Sequence, residues 1–146
     1  MMLEFYKMTA ADSDFVVVDN RDLELSSVLS KENIADVCNR RFGVGAEGLI
    51  VVEPAQGKAV ARMRCYRADG TEEEMNNNAA FCFTAFVDFL LDAGMRKMRF
   101  ETKAGLVRGT VNEDDTVTIQ QTEPQGQRLT GQALIVFRGE VIICDD

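Results

Sequence analysis

Three consecutive asparagines, Asn76, Asn77 and Asn78, separate an acidic run, Glu72 to Glu74, from a long apolar stretch that begins at Ala79. If that stretch is helical, the asparagines sit at its N-terminus, where unpaired N–H groups and the positive end of the helix dipole attract anions. A carboxylate could bind there. An amide side chain, however, neither ionises near neutral pH nor takes up a proton as a thiolate does, so the triplet offers hydrogen bonds and no general base. Its plainest use is to cap the helix, with Asn78 as the expected N-cap and Asn76 and Asn77 as polar turn residues.

The rest of the chain narrows the chemistry further. The 146 residues include no histidine, so the commonest general base and the Ser-His and Cys-His pairs are excluded. Cys38, Cys65, Cys82 and Cys144 are far apart and lie in apolar runs without C-x-x-C spacing, which predicts four reduced, buried thiols and no metal site. The net charge is −8, with Lys and Arg scattered among acids, and nucleic acid is not an expected partner. No apolar run approaches the ~20 residues that a membrane helix needs, and the first residues lack the features of a signal peptide, so a cytoplasmic protein without a membrane partner is expected.

Nine segments read as strands, rich in β-branched and aromatic residues: 3–8, 14–19, 48–53, 59–67, 97–102, 106–112, 116–121, 133–137 and 140–144. Residues 112–115 and Arg138-Gly139 read as hairpin turns. Two segments read as helices. The first is an amphipathic surface helix with Ser30 as N-cap, basic residues in its last turn and Gly43 just past its end. The second runs from about Asn78 to Ala93, is apolar on every face and is stopped by Gly94, so protein must surround it. This predicts an α+β fold, a strongly curved mixed sheet wrapped around one central apolar helix. Residues 121–131 are polar, carry Pro124 and Gly126, and read as a linker or long loop.

The segments EFYKM, DFVVVDNRD, RRFGVGAEGLIVVEP, RMRCYRADGTEEEM and FETKAG, in that order, resemble the signature segments of the N-terminal half of diaminopimelate epimerase. The resemblance implies two similar domains with the active site between them, no cofactor, and one cysteine per domain at a helix N-terminus to move the α-proton of an amino acid. The tail, Arg128 to Ile143, resembles the end of the family chain, where it returns to complete the first domain's sheet. A single domain over 1–146 is therefore expected, with 1–121 epimerase-like, 122–131 a linker in place of a second domain, and 132–146 a closing β-hairpin.

Aligned with the family pattern M-C-G-N-G-x-R-C, this chain has Asn76 where the cysteine stands, Asn77 and Ala79 where the glycines stand, and Cys82 at the second, structural cysteine. In K-M-H-G-x-G-N-D-F the binding asparagine is Ser13, in N-A-D-G the asparagine is Arg67, and the loop acid of G-A-D-G is Glu47. Ser13, Arg67, Asn76, Asn77 and Asn78 are thus former substrate positions, with no catalytic residue among them. The expectation is a catalytically inactive, engineered single domain, monomeric and without a small-molecule ligand. The alternatives are an amino-acid or carboxylate binding module at the helix N-terminus, or a homodimer with residual racemase-like function.

Overall fold

In the computed structural model, which describes residues 1–92, 94 and 96–143, alternation of side chains along two central strands decides the layering. β2 (Ser13–Asp19) and β3 (Gly48–Glu53) are apolar almost without interruption and pair in parallel, as strands buried on both faces do. Val16, Val18, Leu49 and Val51 join one buried cluster with Ile34, Val37 and Cys38 of helix α1 (Lys31–Cys38). Phe15, Val17, Ile50 and Val52 join another with Ala79, Ala80, Phe83 and Phe86 of helix α2 (Asn77–Leu91). The two helices therefore cover opposite faces of the same strands.

The remaining strands are β1 (Met2–Ala10), β4 (Ala61–Arg67), β5 (Glu72–Glu73), β6 (Lys97–Thr102), β7 (Gly105–Val111), β8 (Val117–Glu123), β9 (Gln125–Gly131) and β10 (Leu134–Ile142). Among the described residues they form one mixed α+β sheet in the order β10-β1-β2-β3-β4-β6-β7-β8-β9, with β5 against β4. Among the described residues only β2–β3 and β4–β6 pair in parallel. These are the two connections that carry helices, since a parallel pair needs a crossover. Helix α2 lies against β1, β2, β3, β4, β7, β8 and β10. It comes close at Gly109, where a Cβ would stand 2.5 Å from Thr84 Oγ1. Thr84 is fully buried, and its hydroxyl donates to Ala80 O at 2.9 Å, so the close approach leaves no polar atom stranded.

Several expectations need correction. The supposed linker is mostly strand: β9 pairs antiparallel with β8, placing Leu129 opposite Ile119 and Thr130 opposite Thr118, whose hydroxyls lie 2.8 Å apart. Its polarity reflects an edge position with one lightly covered face. The supposed closing hairpin is one strand, β10, running antiparallel to β1 from Thr9↔Leu134 to Met2↔Ile142. Arg138-Gly139 does not turn; Gly139 lies over the Phe5 ring, which leaves no room for a larger residue without a shift. Helix α1 ends at Cys38, with Asn39 as C-cap, so Arg40 and Arg41 lie beyond it. Ser30 does cap it, accepting from Asn33 N.

Four of the cations that are scattered in sequence come together in space. Lys97, Arg99, Arg108 and Arg128 line one cavity of about 770 Å³ on the outer face of β6, β7 and β9. Cys38, Cys65 and Cys82 are buried free thiols, as expected, while Cys144 and Ala93 lie outside the described residues. No helix among the described residues is long and apolar enough to cross a membrane.

Candidate functional site at the mouth of helix α2

The N-cap of α2 is Asn76, two residues earlier than expected. Its backbone is extended, its side-chain oxygen accepts from Ala79 N at 3.0 Å, and its carbonyl accepts from Ala80 N at 2.9 Å. The N–H groups of Asn77 and Asn78 are left without a protein acceptor among the described residues, as the first helical N–H groups commonly are. Asn77 is exposed, and Asn78 turns inward, donating from Nδ2 to Ser13 Oγ at 3.0 Å. The family-aligned positions 13 and 78, distant in sequence, thus meet between the start of β2 and the first turn of α2.

Arg67 and Asn76 meet through a third residue. Glu73 accepts from Asn76 Nδ2 at 3.2 Å with one carboxylate oxygen, and Arg67 Nε lies 3.3 Å from the other. Of the acidic run, Glu74 is exposed, whereas Glu72 and Glu73 form β5, and Arg64 holds Glu72 through a two-pronged contact at 2.9 and 2.8 Å. Arg64 and, more weakly, Lys103 keep the Glu72 carboxyl below its ordinary range. The Glu73 charge, beside the N-cap, occupies the neighbourhood where the helix dipole would favour an incoming anion. Arg67 also closes the turn that precedes β5: Gly70 N donates to Arg67 O at 2.9 Å, and Gly70 takes the left-handed φ of 88° that favours glycine.

Next to Asn78 lies a cavity of about 300 Å³, walled by Thr9, Ala11, Asn78, Phe81, Gly131, Gln132 and Leu134. Of the five former substrate positions only Asn78 faces it. Thr9 and Ala11 stand within the aligned K-M-H-G-x-G-N-D-F segment, and that alignment is the signal that could have found them. Gly131, Gln132 and Leu134 carried no signal, because their segment read as linker and hairpin. Gly131 lets this wall close on α2: a Cβ there would come within 2.9 Å of the Phe81 ring.

Below Ser13, Asp14 ties down the neighbouring loop. Its carboxylate takes both guanidinium nitrogens of Arg40 at 3.0 and 2.8 Å, the N–H of Glu47 at 3.0 Å, and Lys7 Nζ at 3.2 Å. Arg40 first, then Lys7 and the Glu47 N–H, hold this carboxyl well below the usual carboxylate range against the opposing effect of burial. Glu47, the loop acid, contributes its backbone here and leaves its side chain exposed. The three described thiols are no source of a base. Burial pushes Cys38 up to about 11 and Cys65 and Cys82 up to about 12. The mouth of α2 can therefore donate hydrogen bonds to an anion, from two N–H groups and the Asn78 amide, and among the described residues it offers no thiolate.

Comparison with known proteins agrees with the order of motifs. The sequence profile of the family described as Diaminopimelate epimerase matches residues 5–126. The diaminopimelate epimerase of Cyanothece sp. is 35% identical over 128 residues, covering 86% of this chain and 45% of the relative. That of Gemmatimonas aurantiaca is 33% identical over 156 residues, covering 99% of this chain and 56% of the relative. The chain thus spans about half the length of the curated relatives it matches. Among solved structures, a methylitaconate-delta-isomerase superposes with a TM-score of 0.67 at 11% identity, covering 98% of this chain and 96% of that one. A hydroxyproline epimerase from Agrobacterium vitis, with bound trans-4-hydroxy-L-proline, superposes with a TM-score of 0.57 at 16% identity, covering 82% of this chain and 41% of that one. With the profile matching most of its length and the motifs in family order, this chain belongs to the diaminopimelate epimerase family.

Proposed function

We propose that the chain is a non-catalytic, monomeric domain of the epimerase half-fold, its sheet curved around α2, in which the former reaction mouth serves as a structural cap. The observation that carries this reading is Asn76 at the N-cap, its amide engaged with Ala79 N and with Glu73. The family resemblance implies a thiolate at that position, and a primary amide cannot accept the α-proton of an amino acid. The clustering of replacements at 13, 67, 76, 77 and 79, amid family-like strands, supports deliberate redesign of this mouth.

The test is proton exchange. With diaminopimelate in deuterated buffer, the α-proton NMR signal should persist at millimolar protein, and light scattering should give a monomer mass. Protein-dependent loss of the signal that vanishes in Asn76→Ala would overturn the reading.

A second reading, a carboxylate-binding module, draws on the unpaired N–H groups of Asn77 and Asn78 and the adjoining cavity of about 300 Å³. Amide shifts at residues 77–81 on titration with millimolar amino acid would favour it. Glu73 beside the cap argues against it, since its charge opposes the ligand's.

A further inference from the structure

Strand register assembles a cationic row that the sequence disperses. Arg99 on β6 stands directly opposite Arg108 on β7, Arg108 opposite Gln120 on β8, and Gln120 opposite Arg128 on β9. Lys97, two residues along β6 on the same face, stands opposite Thr110. Like charges directly opposite on neighbouring strands destabilise a sheet, so Arg99 and Arg108 face each other at a cost. Other cations of this chain are held in ion pairs, as Arg40 on Asp14 and Arg64 on Glu72. Among the described residues, none of Lys97, Arg99, Arg108 and Arg128 has a carboxylate within ion-pair distance. The nearest acid along β6, Glu101, is engaged by the N–H groups of Gln56 and Gly57, both at 2.8 Å, and by Arg62 at 3.8 Å.

We propose that this outer face binds a compact phosphate anion, a diphosphate or short oligophosphate. Three guanidinium groups supply planar two-pronged donors that match phosphate oxygens, and Lys97 adds a mobile point charge. At the usual strand spacing, the row from Arg99 to Arg128 covers roughly 14 Å, and the step from Lys97 to Arg99 roughly 7 Å. Long side chains folding inward over that patch can enclose two or three phosphates. The cavity of about 770 Å³ leaves room for them, and Thr110 and Asn112 at its margin can add neutral donors. A long polyanion fits less well, because it would leave the patch and meet the field of a chain whose net charge is −8. An anion seated between Arg99 and Arg108 would also relieve their repulsion, so binding and stabilisation are coupled.

Inorganic pyrophosphate is the probe, followed by calorimetry and by the Nε–Hε signals of ¹⁵N-labelled protein. Shifts should concentrate on Arg99, Arg108 and Arg128. Arg108→Gln and Arg99→Gln should each weaken binding about tenfold or more. Arg21→Gln, which breaks the Arg21–Asp19 pair, should leave affinity unchanged. Both patch variants remove a like-charge contact and should melt no lower than the parent. No shift at millimolar pyrophosphate, equal affinity in Arg108→Gln, equal competition by sulfate, or tighter binding of a single-stranded oligonucleotide than of pyrophosphate would each overturn the proposal.

Discussion

Asn78 Nδ2 donates to Ser13 Oγ across 3.0 Å, joining the first turn of α2 to the start of β2. The contact is half-buried and neutral, so its net contribution should be about 0.5–1.5 kcal/mol. Asn78→Ala and Ser13→Ala should each lower urea-derived stability by about that amount, and the double variant should lose less than the sum of the two. Fully additive losses would show that the two side chains do not act on each other.

The three asparagines should differ in weight. Asn76→Ala removes the N-cap and should cost about 1 kcal/mol, whereas Asn77→Ala, at an exposed site, should stay within about 0.5 kcal/mol. Thermal melts of the two variants separate these cases. A larger loss in Asn77→Ala would place the cap elsewhere.

Gly109 and Thr84 are tightly fitted across the α2–β7 contact. Gly109→Ala sets a Cβ 2.5 Å from Thr84 Oγ1 and should destabilise by about 1–3 kcal/mol. Combining it with Thr84→Ala should recover part of that loss, because the obstructing atoms go with the side chain. Chemical denaturation of the three variants checks this, and a Gly109→Ala variant as stable as the parent would contradict the packing.

Asp14 makes stability depend on acid pH. Its folded-state carboxyl titrates below the unfolded one, chiefly because of Arg40, so its contribution is complete above the unfolded carboxylate range. It is lost as pH falls below that range toward the depressed folded value. The stability gap between the parent and Asp14→Asn should therefore be widest near neutrality and shrink in acid. A gap that stays constant down to about pH 2 would show that Asp14 does not titrate this way.

The buried thiols give a chemical test. With Cys38 raised to about 11 and Cys65 and Cys82 to about 12, each should resist iodoacetamide in native protein at mildly alkaline pH and react in urea. Mass spectrometry after digestion reads each site separately. Rapid native alkylation of Cys65 or Cys82 would mean that the β4 or α2 packing opens readily.

The sequence was most legible where burial imposes a period. The apolar runs of β2 and β3 and the alternation along β4 identify these strands from local residues, and Ser30 marks the start of α1. It was least legible at the edges. β9 buries little beyond Leu129, so no apolar period distinguishes it from a loop, and β10 contains an Arg-Gly step that in isolation is turn chemistry. The α2 cap lay within reach but was misplaced, because three adjacent asparagines are equivalent until Asn78 is seen to be occupied by Ser13. Pairings such as Arg67 with Glu73, or Arg99 opposite Arg108, are set by strand register, which no local window encodes.

The pairing of β1 with β10 joins Met2 to Ile142, almost the largest sequence separation this chain permits. Contacts of such high order close late, because the entropy of the intervening loop must be lost before they form. Leu134, which β1–β10 pairing sets opposite Thr9 at the wall beside Asn78, is therefore expected to be placed late, after Gly131 has been fixed by the local β8–β9 pairing. Until it is in place, β1 has an open edge able to pair with any passing strand, so the hazard of intermolecular pairing is concentrated in the interval before β10 docks.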